Sequence, residues 1–361
     1  MKNILYYFSV DREVFMSCCR LFKSFIMLFL MAVACCPVIL FSGCSNKVET
    51  VENTMDSTVE EQVTFETIHE VETKEKSYLE IKVKRNVNPY ANPIEYIIPE
   101  GIDEPAEGIE YGQVVQPVFY YSSEAGAVKE CGVILPPGYD EEEQYPVLYV
   151  LHGFGGTYGD WTNEKGFLKY MYGNMVDRGQ AVPMIIVAVE MYTDGSVPKE
   201  QADQEGKRQA YDRFVYDLKD SLMPCIESRF SVAKGRENTA IAGISQGAME
   251  ALYCTFMLQD RIGYSGNFAT VSGVIPTSFY KGTFWNTPAM EDFVITNPEY
   301  EPEYLLLLVG SQDEWWPEIT EYYGMFLDSK GIRNRTLVID GYGHDEEFWK
   351  LCYYNFLKSI F

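Results

Sequence analysis

The chain has 361 residues, of which 47% are hydrophobic, and a formal net charge of −24. That length allows one large core plus appendages. The negative balance argues against a basic face for nucleic acid or an anionic membrane.

At the N-terminus, Arg20 and Lys23 precede an apolar run from Phe25 to Phe41, the pattern of a secretory signal. The run ends in Phe41-Ser42-Gly43-Cys44-Ser45. Small residues before a cysteine read as a bacterial lipobox, which makes residues 1–43 a lipoprotein signal and Cys44 the lipidated first residue. The leader is long, and Met16 is an alternative start. An uncleaved N-terminal helix is the competing reading, because the run is long enough to span although Pro37 interrupts it. Both place the chain on the extracellular face of a membrane; release into the medium is a further alternative.

Residues 44–80 are Thr-, Val- and Glu-rich, and from Ser45 to Glu80 hold no Gly or Pro. They carry too little bulk for a core and read as an acidic, disordered tether. Residues 81–110 contain Pro89, Pro93, Pro99 and Pro105. They read as an extended arm, with no functional account.

From residue 111 to 361 the hydrophobic period alternates. Strands are predicted at Val114 to Tyr121, Ala127 to Leu135, Pro146 to Leu151, Met184 to Val189, Thr239 to Gly243, Phe268 to Val271, Tyr304 to Val309 and Thr336 to Asp340. Helices are predicted at Phe167 to Val176, Arg208 to Arg229, Gln246 to Leu258, Glu318 to Ser329 and Asp345 to Lys358. The first two strands are adjacent and read as antiparallel. The rest alternate with helices, which predicts an α/β fold with a mainly parallel sheet covered on both faces.

The most informative stretch is Gly243-Ile244-Ser245-Gln246-Gly247, between a predicted strand and a predicted helix. A Gly-x-Ser-x-Gly turn in that context is a nucleophile elbow, and Ser245 is the candidate nucleophile. The bland reading is a Gly-Ser turn closing a βα unit. A base should follow the serine in the α/β-hydrolase order. The chain has three histidines, His69, His152 and His344, and only His344 follows it. The candidate acid is Asp313, just past the apolar run Tyr304 to Gly310, because catalytic groups gather at the carboxyl ends of parallel strands. Its rivals are Glu314, Asp340, which ends its own strand, and Asp345, which suits the cap of the last helix. Pro146 to Leu151 runs into His152-Gly153-Phe154-Gly155-Gly156, whose glycines let amides approach a ligand. The backbone N–H groups of Phe154 and Gln246 are the candidate oxyanion donors, and His152 is read as a ring that holds the loop.

These motifs resemble the esterase D-like branch of α/β-hydrolases, and within it the feruloyl and acetylxylan esterases of carbohydrate esterase family 1. The resemblance runs from about Gly112 to Phe361. It rests on Leu135-Pro136-Pro137-Gly138-Tyr139, the segment Pro146 to Gly156 with Asp160-Trp161, Ala240 to Gly247, and Gly343-His344-Asp345 followed by Phe348-Trp349. It implies Ser245 as nucleophile, His344 as base and Asp313 as acid, and a polysaccharide or small ester as substrate. Ala248 and Gln246 depart from the family pattern, where glycine and methionine are frequent. The Gln246 side chain is therefore a candidate to shape the acyl pocket. Another carboxylester or thioester hydrolase, or an acyltransferase, is the alternative.

Candidate pocket walls are the loops 154–166, 191–207 and 273–300. The last carries Phe279, Tyr280, Phe284 and Trp285, and Trp315-Trp316 follow Asp313. These aromatics suit a feruloyl ring or a stacked sugar, and equally a packed lid. Cys131, Cys225, Cys254 and Cys352 sit in apolar segments, as buried thiols or as disulfides. No Cys–His cluster has metal-ligand spacing and no phosphate-cradling glycine motif is present; no cofactor and no metal are expected.

Overall fold

Apolar runs without alternation have to become strands buried on both faces, and their placement organises the molecule. The computed structural model describes residues 88–164, 166–270, 294–314 and 316–361. The signal, Cys44, the tether and the aromatics at 279–285 and 315 lie outside the described residues. One sheet holds β1 (Val114–Ser122), β2 (Ala127–Ile134), β3 (Val147–Leu151), β4 (Ile185–Ala188), β5 (Thr239–Ile244), β6 (Tyr264–Phe268), β7 (Tyr304–Gly310) and β8 (Arg335–Ile339). Their order is β1-β2-β4-β3-β5-β6-β7-β8. β1 with β2, and β2 with β4, are antiparallel; every other pair is parallel.

Among the described residues, eight α-helical segments follow: α1 (Gly159–Thr162), α2 (Phe167–Asp177), α3 (Gln204–Asp212), α4 (Phe214–Asp217), α5 (Met223–Arg229), α6 (Gln246–Met257), α7 (Pro317–Ser329) and α8 (Glu346–Leu357). β3 is buried at all its positions. Its Leu148 and Val150 join a layer with Leu168 and Met171 of α2 and Phe348 and Phe356 of α8. Val147, Tyr149 and Leu151 join the opposite layer with Tyr211, Phe214, Leu218 and Leu222. Successive strand residues thus feed opposite helix layers, as the pleat dictates. This is the α/β-hydrolase architecture expected from the sequence.

Two elements differ from expectation. The strand predicted at Phe268 to Val271 is instead Tyr264–Phe268. Its middle is Ser265-Gly266-Asn267, which has no apolar signature. The polar atoms are satisfied internally: Thr255 Oγ1 donates to Ser265 Oγ at 2.8 Å, and Asn267 Nδ2 to the Leu306 carbonyl at 3.3 Å. Gly266 is required there, since a Cβ would lie 2.7 Å from the Phe268 ring. The helix predicted from Arg208 to Arg229 starts earlier and is broken. α3 and α4 flank Arg213, and a π turn at Leu218–Leu222 precedes α5. Pro224 lies in the first turn of α5 and removes an amide donor from the run.

Residues 88–110 are fastened to the domain. Tyr90 donates to the Arg333 carbonyl at 2.9 Å, and its oxygen accepts the Leu305 amide at 3.1 Å. Arg335 donates to the carbonyls of Tyr90 and Asn92. Glu95 exchanges two bonds with the Asn355 side chain and pairs with Lys358 at 2.6 Å. Ile102 is fully buried, with its carbonyl accepting from Asn174 at 2.8 Å. The four cysteines at 131, 225, 254 and 352 are free thiols, and burial pushes the Cys131 thiol up to about 12.

Candidate active site

β5 delivers Ser245 into the elbow. Ser245 has φ 54° and ψ −118°, a conformation that a residue with a side chain rarely adopts. Such strain costs about 1–3 kcal/mol and persists only where surroundings over-determine it. Here the Ser245 amide donates to the Phe268 carbonyl at 2.9 Å, and its carbonyl accepts from Ala248 at 3.1 Å. The flanking glycines are steric requirements. A Cβ on Gly243 would lie 2.2 Å from the Gly247 carbonyl oxygen, and one on Gly247 would lie 2.4 Å from that of His152.

The loops after β7 and β8 are laced together. The Ser311 amide donates to Ile339 and the Gln312 amide to Tyr342, each at 2.8 Å. Gly310 permits the approach, since a Cβ there would be 2.2 Å from the Tyr342 oxygen. This lacing brings Asp313 under His344, with Nδ1 2.6 Å from Asp313 Oδ2. The Asp313 side chain is fully buried, whereas that of His344 is 34% exposed. A proton on Nδ1 aimed at a buried carboxylate leaves Nε2 free to accept one. Trp349 meets the imidazole edge to face, with centroids 4.9 Å apart. The sequence assigned Trp349 no role of its own.

Two of the rivals for the acid are occupied elsewhere, and the third lies at the surface. Asp340 accepts from Ser311 Oγ at 3.0 Å. Asp345 caps α8, accepting the Phe348 amide at 3.1 Å. Glu314 is exposed. Ser245, Asp313 and His344 all stand at the carboxyl edge of the parallel strands.

The loop after β3 lies against the elbow. A Cβ on Gly153 would sit 3.7 Å from that of Ser245. His152 is fully buried; its Nδ1 lies 2.7 Å from the Gly153 carbonyl, and its Nε2 accepts the Met191 amide at 3.3 Å. It is a structural ring. Glu190 lies 3.4 Å from His152 and 3.0 Å from Lys199, and Lys199 also donates to the Gly156 carbonyl. Burial alone would raise Glu190, but its contact with His152, the Lys199 ammonium and the bond from the Tyr192 amide outweigh it and hold the carboxyl at about 2. The Gly155 amide donates to Tyr211 Oη at 3.1 Å, and the Phe154 ring meets Tyr211 edge to face. Both ends of the loop that carries the Phe154 amide are therefore clamped. Nothing in the sequence signals the Glu190–Lys199 clamp, which joins separate loops. The Gln246 amide opens α6, among the first four donors of a helix, which lack an intrahelical acceptor.

The Gln246 side chain corrects an expectation. It is buried and donates to Glu250 Oε1 at 2.8 Å, so it does not face an acyl pocket. Burial, and then the neighbouring Asp212, push the Glu250 carboxyl well up. Burial, and then Glu205, push Asp212 up to about 7. No hydrogen bond among the described residues reaches the Asp212 carboxyl oxygens. A carboxyl raised by folding costs nothing at low pH, where both states hold the proton. Its penalty grows from about pH 4, where the unfolded chain ionises, to about pH 7, and is full above. Asp212→Asn is therefore expected to raise Tm by roughly 2–6 °C at pH 8 and to leave it nearly unchanged at pH 4. Calorimetry at the two pH values checks this; equal gains at both would refute a charge origin.

Comparison with known proteins assigns the domain. An esterase family model, described as "Putative esterase", matches residues 122–346. The chain belongs to this esterase family. The esterase is 29% identical to a carbohydrate esterase family 1 ferulic acid esterase from Anaeromyces mucronatus, solved with ferulic acid. The match has a TM-score of 0.68 and covers 75% of this chain and 98% of that one. A feruloyl esterase module from Clostridium thermocellum, solved with sinapinate, shares the fold at 16% identity, with a TM-score of 0.56 and 75% and 96% of the two chains covered. An endo-1,4-beta-xylanase/feruloyl esterase from Xylanibacter ruminicola is 27% identical over 262 residues, which are 70% of this chain and 32% of that protein. The esterase thus spans about a third of that relative's length.

Proposed function

We propose that this protein is a serine esterase that hydrolyses feruloyl or acetyl esters on plant cell-wall polysaccharide such as xylan, through an acyl-serine intermediate. The observation that carries the reading is the 2.6 Å contact of His344 with buried Asp313, at the sheet edge where the elbow holds Ser245. Likeness to ferulic acid esterases supports the substrate class. His344 takes the Ser245 proton as Oγ attacks the ester carbonyl, and Asp313 orients the ring and stabilises its cation. The Phe154 and Gln246 amides receive the oxyanion, each worth about 3–4 kcal/mol. The alcohol leaves with the proton from His344. Water then gives a proton to His344 and attacks the acyl-serine, releasing the acid and restoring Ser245.

The same reading places the enzyme outside the cytoplasmic membrane, anchored through lipidated Cys44 and lifted by residues 44–80. The test follows ferulate and acetate released from arabinoxylan by the purified protein. Ferulate release is the expected result for a feruloyl esterase, and acetate alone for an acetylxylan esterase with a short acyl pocket. Release of neither would discard the xylan substrate.

A further inference from the structure

We propose that a cleft between the β1–β2 hairpin and the loop after β4 binds the uncharged main chain of the polysaccharide whose ester enters the active site. The inference rests on the esterase reading above and adds a place for the polymer. The register of the hairpin pairs Tyr121 with Val128 and Phe119 with Glu130. Alternation buries Val118 and Tyr120 and turns Phe119 and Tyr121 outward. Those two rings are 53% and 65% exposed and Val128 is 66% exposed, an apolar strip on one face of the hairpin. Side chains two apart on one strand stand about 7 Å from each other on one face.

The strip borders a cleft of about 350 Å³ whose walls include Phe119, Val128, Glu130, Glu190, Lys199 and Glu200. Its position follows from topology. β2 runs antiparallel to β4, with Gly132 opposite Ala188. The Ala127 end of the hairpin therefore projects past the carboxyl end of β4, on the edge that carries Ser245. The inner wall is shared with the candidate site, since Lys199 donates to the Gly156 carbonyl and Glu190 contacts His152. A ligand in the cleft lies directly behind the loop that carries the Phe154 amide.

The chemistry of the walls selects the occupant. Sugar rings present apolar C–H faces that rest on aromatic planes, and hydroxyl edges that donate to carboxylates. Phe119 in the wall, and Tyr121 beside it on the same outward strand face, supply the planes. Glu130 and Glu200 supply acceptors, and repel a uronate-rich or phosphorylated polymer. Lys199 is paired with Glu190 and leaves no uncompensated cation for an anionic chain. Continuity with the site favours a polymer over a separate protein partner.

The test compares the full chain with the double variant Phe119→Ala/Tyr121→Ala, which alters exposed side chains only. Retardation in gels containing arabinoxylan measures binding without turnover, and methyl ferulate and 4-nitrophenyl acetate report small-ester turnover. Wild type is expected to be retarded and the variant not. Small-ester turnover should be unchanged within about twofold, while release from the polymer falls about tenfold. Wild type without retardation, equal retardation of both proteins, or stronger retardation by a polyuronate would overturn the proposal. So would a dimer in sedimentation that the variant abolishes, since a second copy would then occupy the strip. If wild type is retarded by arabinoxylan but cleaves no ester on it, the ester reading fails while the binding surface stands.

Discussion

Ser245→Ala is expected to lower turnover on any ester the enzyme accepts by about a millionfold, the loss seen when the nucleophile of a serine hydrolase is removed alone. The size reflects a unit. In the proposed mechanism, without the hydroxyl the His344–Asp313 pair has no alcohol to deprotonate, and the residual rate comes from the oxyanion donors and from binding. Folding is not at issue, because alanine adopts the elbow conformation at a cost similar to serine's and loses no structural bond; those at this position use the backbone amide and carbonyl. Turnover of a chromogenic ester, paired with labelling by a fluorophosphonate, is the measurement. Wild type should be labelled and Ser245→Ala should not. Turnover within tenfold of wild type in the variant would remove Ser245 from the scheme.

Much of this arrangement was legible because the chemistry needs local patterns. The elbow demands glycines at 243 and 247 for steric reasons that the 2.2 and 2.4 Å approaches make concrete. β3 and β7 are buried on both faces and so wrote themselves as unbroken apolar runs. Asp345 preceded a helical period, and it caps α8. What stayed hidden depends on contacts between distant segments. β6 buries serine, glycine and asparagine whose partners are Thr255 and Leu306, so no period marks it. The break at Arg213 and the π turn interrupt a pattern that reads as one helix. Glu190, Lys199 and Asp212 look like surface charges until the loops after β3 and β4 and the helices α3 and α6 are packed together. The arm at 88–110 carried no periodic pattern, because much of its attachment uses backbone carbonyls that accept from the Arg335 and Asn355 side chains. Asp313 was legible as a candidate only from its position at the end of a strand; its contact with His344 needed the lacing of two loops.

That contact sets the second large expectation. Asp313→Asn should leave the fold intact and lower kcat by about ten thousandfold, with KM nearly unchanged. In the proposed mechanism the carboxylate does two things that an amide cannot do together. It accepts the Nδ1 proton, which leaves Nε2 as the base, and it offsets the positive charge that the ring gains when it takes the serine proton. An asparagine can turn its NH2 toward Nδ1, which favours the wrong tautomer, and it carries no charge in either orientation. Burial sharpens the loss, since the Asp313 side chain has no exposure through which water could substitute. Two neighbours supply the contrast. Asp345→Ala removes a helix cap and should cost about 1 kcal/mol of stability with turnover close to wild type. Asp340→Asn weakens a bond to Ser311 at the surface and should change turnover less than tenfold. Steady-state kinetics and thermal unfolding of the three variants separate these roles. If the large kcat loss falls at Asp340 or Asp345, with Asp313→Asn near wild type, the acid is misassigned. If it falls at Asp313 alone, the 2.6 Å contact works in turnover as well as in packing.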